Sequence, residues 1–128
     1  MSVKFAVRVE GGFESAHFLY NYYPNGDNEE LHGHSFKVEL FCASKTIKNG
    51  ISVDFIFIKK LLDEVVIKLD HKCLNNLSAF QNINPTAENI AIYIETQIKE
   101  KLPENTKITE IIVWEGPVHH ISYFPPAS

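Results

Sequence analysis

Three histidines near the start of the chain have the residue type and spacing of a metal site. His32 and His34 are separated by one residue, and side chains at this spacing in an extended segment point to the same side. His17, from the preceding segment, can add a third nitrogen. Imidazole is the commonest metal ligand in proteins, and three protein ligands with an open fourth position are typical of catalytic zinc. The alternative is three ordinary hydrogen-bonded residues at a sheet edge, since His-x-His alone occurs often by chance.

Further acid and base groups occur at the ends of apolar segments. Asp70 and His71 follow the last apolar residue of a helical pattern, where the carboxylate can orient the imidazole and raise its basicity. The competing interpretation is a histidine that interacts favourably with the helix dipole. Glu115 ends an apolar strand pattern, and a partly buried carboxylate there needs a partner. An exposed strand end before Gly116-Pro117 is the alternative for Glu115.

The first half of the scaffold is predicted from alternating apolar residues. Val3 to Glu10 alternate with period two and predict a strand, which Gly11-Gly12 interrupts. Glycines within a strand pattern often mark a bulge, so the strand is predicted to resume from Phe13 to His17. Residues 20–30 are rich in Asn, Asp, Gly and Pro and predict a surface loop. A second strand follows, with one apolar face made by Phe36, Val38, Leu40 and Cys42.

The second half adds two helices and two strands. Asp54 suits the N-cap of a helix from Phe55 to about Leu69, whose predicted buried stripe is Ile58, Leu62, Val65 and Leu69. A second helix is predicted from Pro85-Thr86 to about Leu102. Strands are predicted from Lys107 to Glu115 and from Val118 to Phe124. The order ββααββ favours the α+β class, with a four-stranded antiparallel sheet covered by helices on one face.

The other face of this sheet is expected to be apolar. Phe41, Trp114 and Tyr123 are predicted to lie on it, and together they present more apolar surface than two helices can cover. Oligomerisation would bury such a surface. The sequence therefore predicts a homo-oligomer.

Length, charge and cysteines exclude several classes of protein. A chain of 128 residues with 45% hydrophobic composition predicts one domain over residues 1–128. The net charge of −4, with no run of Lys or Arg, argues against a nucleic-acid partner. No apolar stretch approaches the roughly 20 residues that span a bilayer, so no membrane role is expected. Cys42 and Cys73 lack Cys-x-x-Cys spacing and no signal segment is recognised, which predicts a cytoplasmic protein with reduced thiols.

Five short motifs then occur in a fixed order along nearly the whole chain. They are Phe13-Glu14-Ser15-Ala16-His17, Leu31-His32-Gly33-His34-Ser35-Phe36, Leu69-Asp70-His71-Lys72-Cys73-Leu74-Asn75, Pro85-Thr86-Ala87-Glu88-Asn89 and Trp114-Glu115. In this order they resemble the 6-pyruvoyl-tetrahydropterin synthase family, which includes the 6-carboxytetrahydropterin synthases. The resemblance implies a T-fold (tunnelling fold) enzyme: a hexamer of two trimers whose sheets join into a barrel, with active sites between subunits.

The resemblance also implies roles for the residues singled out above. Zn²⁺ would be held by the three histidines, and Asp70 and His71 would assist catalysis. Glu115 would anchor a pterin, whose 2-amino group and N3-H present two parallel donors to a carboxylate. Thr86 would contribute to the same pocket, although it also suits an ordinary helix cap.

The loop before His-Gly-His departs from the best-known members of the family. They have Cys-x-x-x-His-Gly-His, and Asn28 stands at the position of the cysteine. Glu29 gives Glu-x-x-His-Gly-His, which is similar to a subgroup in which glutamate replaces the cysteine. That subgroup is associated with folate biosynthesis and makes 6-hydroxymethyl-7,8-dihydropterin. The resemblance therefore implies a zinc-dependent lyase acting on 7,8-dihydroneopterin triphosphate, with Glu29 as a catalytic residue.

Several alternatives remain at this stage. Glu30 replaces Glu29 as the functional carboxylate if the loop register differs, and both could be ordinary solvated charges. The enzyme could keep the 6-pyruvoyl- or 6-carboxytetrahydropterin synthase reaction of the biopterin or queuosine branch, with Glu29 or Cys73 in place of the missing cysteine. The chain could also be a non-catalytic pterin-binding relative.

Overall fold

A four-stranded antiparallel sheet with helices on one side makes up the fold, in a computed structural model that describes residues 4–126. The strands lie in the order β1-β2-β3-β4. They are β1 (Phe5–His17), β2 (His32–Ser44), β3 (Lys107–Glu115) and β4 (His119–Tyr123), and the helices are α1 (Phe55–Leu69) and α2 (Ala87–Ile98). The predicted α+β class and element order are confirmed.

Strand β1 continues through its two glycines, so the predicted bulge is wrong. Every residue of β1 has a partner in β2, from Phe5 opposite Ser44 to His17 opposite His32. Gly12 is needed for another reason: a Cβ atom there would lie 3.0 Å from the carbonyl oxygen of Phe36. The sheet instead changes register between β2 and β3, next to Phe41. Val3, the first residue of the predicted strand, lies outside the described residues.

Helix α1 has the predicted bounds and cap. The Asp54 side chain accepts hydrogen bonds from the backbone N–H groups of Ile56 at 3.0 Å and Phe57 at 3.4 Å. These groups have no partner inside the helix, so the cap stabilises its first turn. The predicted apolar stripe is buried against the sheet and consists of Ile58, Leu62, Val65 and Leu69.

Helix α2 and strand β4 are shorter than predicted. Helix α2 ends at Ile98, and a 3-10 turn over Lys99–Lys101 tightens the chain before Pro103. Strand β4 begins at His119 because a turn at Gly116, with φ of 74°, occupies the preceding residues. The apolar face of β2 is buried as predicted, and burial raises the pKa of the Cys42 thiol to about 12.

The sheet face away from the helices contains Phe41 and Trp114, as predicted, but it also has many charged side chains. The Arg8 guanidinium binds Glu39 at 2.5 Å and Glu10 at 2.6 Å, and Trp114 Nε1 donates to Glu39 at 2.7 Å. Tyr123 is not on this face. It lies on the helix side, where its hydroxyl donates to Glu95 of α2 at 2.9 Å. Its place follows from the register, because it pairs with the buried Ile111.

Replacing Asp54 tests whether its side chain stabilises the first turn of α1. We expect Asp54→Ala to lower the free energy of unfolding by about 1 kcal/mol, since two backbone donors lose their acceptor. Asp63→Ala on the same helix removes only an exposed pair with Lys59, and should cost about 0.5 kcal/mol or less. Urea denaturation at one protein concentration measures both. Equal losses would contradict the capping role.

Candidate active site

The three histidines of the predicted metal centre lie together at one end of the sheet. The β1–β2 register places His17 opposite His32 and Ser15 opposite His34, so all three imidazoles share the helix-side face. One nitrogen from each ring lies within 4.8 Å of the nitrogens from the other two. His17 is buried, whereas about a third of each of the other two side chains is exposed, at 35% for His32 and 32% for His34. The cluster is thus buried on one side and open on the other.

The hydrogen bonds of these rings leave nitrogen lone pairs free for a ligand. His17 Nδ1 lies 2.7 Å from the Pro85 carbonyl, and His32 Nδ1 lies 2.8 Å from the Glu30 carbonyl. Because a carbonyl can only accept, each Nδ1 carries the hydrogen and each neutral ring keeps its lone pair on Nε2. Among the described residues, His17 Nε2 is buried and has no hydrogen-bond partner, which is costly unless a ligand satisfies it. This donor set fits zinc.

Glu115 faces the cluster from the end of β3. Its Oε1 atom lies 3.1 Å from His17 Nε2 and 4.0 Å from His34 Nε2, at ion-pair distance but without hydrogen-bond angles at His17. The nearby His17 ring lowers the pKa of Glu115, although partial burial opposes this. Burial opposes protonation of His17, but Glu115 and the Pro85 carbonyl outweigh it and raise the pKa of His17. The predicted pterin anchor therefore lies beside the predicted metal ligands.

Glu29 lies in the loop of residues 18–31 between β1 and β2, which contains no helix or strand. Its Oε1 atom accepts a hydrogen bond from Leu19 N at 3.2 Å and lies 3.8 Å from His32 Nδ1. About a fifth of the side chain, 20%, is exposed. Glu30 is exposed, and it contributes only its carbonyl to the contact with His32. The structure thus places Glu29, rather than Glu30, beside the cluster.

Asp70 and His71 form a contact pair just beyond α1. Asp70 Oδ1 accepts from Glu14 N at 2.8 Å, and Asp70 Oδ2 lies 2.9 Å from His71 Nδ1. The Glu14 N–H and then the His71 ring lower the pKa of Asp70. The His71 side chain is 80% exposed. Within residues 4–126, neither side chain has a hydrogen bond or ion pair with the three histidines, so one chain alone does not bring this pair to the cluster.

Thr86 and Cys73 occupy structural positions. The Thr86 side chain accepts a hydrogen bond from Asn89 N at 3.1 Å and caps α2, which agrees with the alternative prediction of an ordinary helix cap. Cys73 is half-buried, and its backbone forms a parallel bridge with Ala16 of β1. Within the part of the chain that the structure describes, neither side chain has a hydrogen bond to the three histidines, and Cys73 is not in their possible metal group.

The two histidines without a predicted role lie on opposite faces of β4. His119 pairs with Glu115 in the β3–β4 register and therefore shares the face of the cluster. His120 lies on the charged face, with its ring centroid 4.2 Å from that of Trp114. Strand alternation from Glu115 across the turn would have revealed the position of His119.

Comparison with known proteins agrees with this geometry. Residues 6–126 match the family described as 6-pyruvoyl tetrahydropterin synthase. The chain belongs to this family. It is 43% identical over 88 residues to the dihydroneopterin monophosphate aldolase of Pyrococcus furiosus, covering 69% of this chain and 73% of that one. It is also 35% identical over 101 residues to a putative 6-carboxy-5,6,7,8-tetrahydropterin synthase of Archaeoglobus fulgidus, covering 79% and 82%.

The family fold is also confirmed by solved structures. The 6-pyruvoyl tetrahydropterin synthase of Caenorhabditis elegans superposes with a TM-score of 0.78 at 22% identity, covering 98% of this chain and 100% of that one. The predicted T-fold of the pterin synthase family is therefore correct. Neither helix in residues 4–126 combines the length and the apolar character needed to cross a membrane.

Removing one histidine tests the metal site of this family member. We expect His34→Ala to bind little zinc, whereas the wild-type protein binds about one ion per chain. His34 is partly exposed, so its loss should leave the fold intact. His119→Ala, on the same sheet face, is the matched control and should retain the metal. Elemental analysis after dialysis measures both, and full zinc content in His34→Ala would contradict the assignment.

The Asp70 carboxylate predicts a pH-dependent stability. The pKa of Asp70 is lower in the folded protein than in the unfolded chain, where it is about 4. The ionised carboxylate therefore contributes its full stabilisation of the fold above the unfolded pKa, and this stabilisation is lost as pH falls through the folded pKa. We expect Asp70→Asn to be less stable than wild type at pH 7, and the difference to shrink on acidification. Thermal unfolding across this range measures it, with Asp63→Asn as control for loss of an exposed charge. A difference that is constant with pH would contradict the assignment.

Proposed function

We propose that this family member is a zinc-dependent lyase that converts a 7,8-dihydroneopterin phosphate into 6-hydroxymethyl-7,8-dihydropterin. The observation that carries the proposal is the Glu29 carboxylate, 3.8 Å from His32 in the loop where the best-known members have a cysteine. The name of the Pyrococcus furiosus relative supports an aldolase reaction. It also favours a monophosphate over the triphosphate inferred from sequence. Glutamate has a precedent in this fold, because a Plasmodium vivax 6-pyruvoyltetrahydropterin synthase has a catalytic glutamate.

The reaction is a retro-aldol cleavage of the C1'–C2' bond in the substrate side chain. The C2' hydroxyl loses its proton and becomes the aldehyde of glycolaldehyde phosphate, while the electron pair of the broken bond moves into the N5=C6 imine. A proton returned to C1' completes the hydroxymethyl group. A zinc ion on the three histidines would polarise the side-chain oxygens and lower the pKa of a hydroxyl. The protein must then supply one base and one acid.

Glu29 is the proposed base for the C2' hydroxyl. Its carboxylate lies 3.8 Å from His32 Nδ1 and is 20% exposed, so it can approach a substrate side chain bound at the cluster. The Asp70–His71 pair is the proposed acid for C1', because Asp70 orients the imidazole at 2.9 Å and the ring is exposed for proton exchange. Glu115 is the proposed anchor for the pterin ring, since its carboxylate lies at the rim of the same cluster. Thr86 remains a proposed pocket residue, next to the Pro85 carbonyl that holds His17.

The proposed assembly explains how the Asp70–His71 pair reaches a substrate. Strands β1 and β4 lie at the two ends of the sheet, and within the described residues each pairs on one side only. Joining β4 of one chain to β1 of the next would close three sheets into a barrel and remove both open edges. We propose a hexamer of two such trimers, with active sites between subunits. The exposed pair of one chain would then face the cluster of another.

A synthase reaction is the second candidate. The Archaeoglobus fulgidus relative bears a 6-carboxytetrahydropterin synthase name and matches this chain over a larger share of its length. That reaction needs a group in place of the missing cysteine, and the two candidates are Glu29 and the Cys73 thiol near β1. Cys73 is half-buried and, in the described part of the chain, is not one of the side chains that could share a metal with the three histidines, which favours Glu29 over Cys73 as that group. Production of 6-carboxy- or 6-pyruvoyl-tetrahydropterin alone would support the synthase.

Replacing the loop carboxylate tests the proposed lyase. We expect Glu29→Gln to lower kcat by about 10²- to 10⁴-fold with zinc still bound, since the amide cannot accept the hydroxyl proton. Glu30→Gln, one residue away and exposed, should stay close to wild type. The activity of both variants is measured by mass spectrometry, as the rate at which 6-hydroxymethyl-7,8-dihydropterin forms from dihydroneopterin monophosphate or triphosphate. A large loss in Glu30→Gln with an active Glu29→Gln would reverse the assignment.

A further inference from the structure

The first three residues after β1 are held by side chains instead of by a neighbouring strand. Asn75 Oδ1 accepts from Phe18 N at 3.0 Å, and Asn75 Nδ2 donates to Phe18 O at 2.8 Å. Asn84 does the same for Tyr20, accepting from its N–H at 2.5 Å and donating to its carbonyl at 3.3 Å. Each asparagine amide therefore replaces one peptide group of a missing strand.

Glu29 makes the corresponding contacts with the residue in between. Its Oε1 atom accepts from Leu19 N at 3.2 Å, and its own N–H donates to Leu19 O at 2.9 Å. Leu19 is flanked by Phe18 and Tyr20, whose backbones the two asparagines hold. The position of the Glu29 carboxylate consequently depends on a backbone amide that is fixed on both sides.

The two asparagines are themselves fixed to the framework of the cluster. Asn75 is only 5% exposed and lies in a 3-10 turn next to the buried Leu74. Asn84 directly precedes Pro85, whose carbonyl holds His17, and its own carbonyl accepts from Asn89 of α2 at 2.9 Å. The segment Asn84-Pro85 before α2 thus holds both the loop that contains Glu29, through Tyr20, and the imidazole of His17.

We infer that Asn75 and Asn84 are positioning residues for Glu29, acting through the backbone of Phe18–Tyr20. The inference rests on the proposed function, in which Glu29 is the base. A base must lie within hydrogen-bond reach of the proton that it removes, and a displacement of about 1 Å can reduce the rate by roughly 10²-fold. In the loop of residues 18–31, which has no helix or strand, these side chains supply the restraint that regular structure supplies elsewhere.

A double-mutant cycle tests this role. Asn84→Asp keeps the acceptor for Tyr20 N but places a carboxylate oxygen against the Tyr20 carbonyl, which pushes the loop away. We expect kcat to fall by about 10- to 100-fold, with KM within about threefold and zinc content unchanged. In the Glu29→Gln background the same substitution should lower kcat by less than about threefold, since the group it positions is already lost. Asn84→Ser, which is smaller, gives a second route if Asn84→Asp folds poorly.

The matched control is Asn76→Asp, the same chemical change beside Asn75. Its side chain is exposed and makes no hydrogen bond within residues 4–126, so kcat should remain at the wild-type value. Equal kcat losses from the Asn84 variants with and without Glu29 would overturn the inference, because they would show a general structural effect. Wild-type kcat in both Asn84 variants would also overturn it. If wild-type protein itself makes no 6-hydroxymethyl product, the proposed function fails, and the inference fails with it.

Discussion

The pairing of β1 with β2 is the constraint on which the site depends. Both strands have 13 residues and pair along their whole length, which places His17 opposite His32 at one end. Phe13 and Phe36 pair in the same register, with ring centroids 4.8 Å apart, and both are buried. A slip of one residue would turn His32 and His34 toward the charged face and separate them from His17. The apolar core thus fixes the geometry of the imidazoles.

The remaining parts of the site are attached to the same end of β1. The segment after α1 runs beside it, with Asp70 bound to Glu14 N and the Lys72 carbonyl bound to Ala16 N at 2.9 Å. The segment before α2 contributes the Pro85 carbonyl to His17. The three histidines therefore lie on the paired strands, whereas the proposed base Glu29 and the proposed acid pair Asp70–His71 lie in loops that are tied to the same end of β1. In the proposed function, the partly exposed side chains of His32 and His34 face the substrate.

The elements and the three histidines could be predicted from sequence because their signals are local. Alternation gave β2, the Asp54 cap and the i, i+4 pattern gave α1, and the spacing of His32 and His34 placed both on one face. The predicted face of Tyr123 is wrong. The face on which Tyr123 lies depends on its pairing with Ile111, which the sequence does not specify. Contacts between distant residues, such as Asn75 with Phe18 at a separation of 57 residues, leave no local pattern. The roles of the site residues stay predictions.

The proposed reaction breaks a carbon–carbon bond of the substrate and returns a proton to the pterin side chain. Running the reaction with dihydroneopterin monophosphate in deuterium oxide, followed by mass spectrometry of the pterin, tests this most directly. We expect 6-hydroxymethyl-7,8-dihydropterin with a single carbon-bound deuterium on the exocyclic carbon, together with glycolaldehyde phosphate. A 6-pyruvoyl or 6-carboxy product, or a 6-hydroxymethyl product without that deuterium, would contradict it.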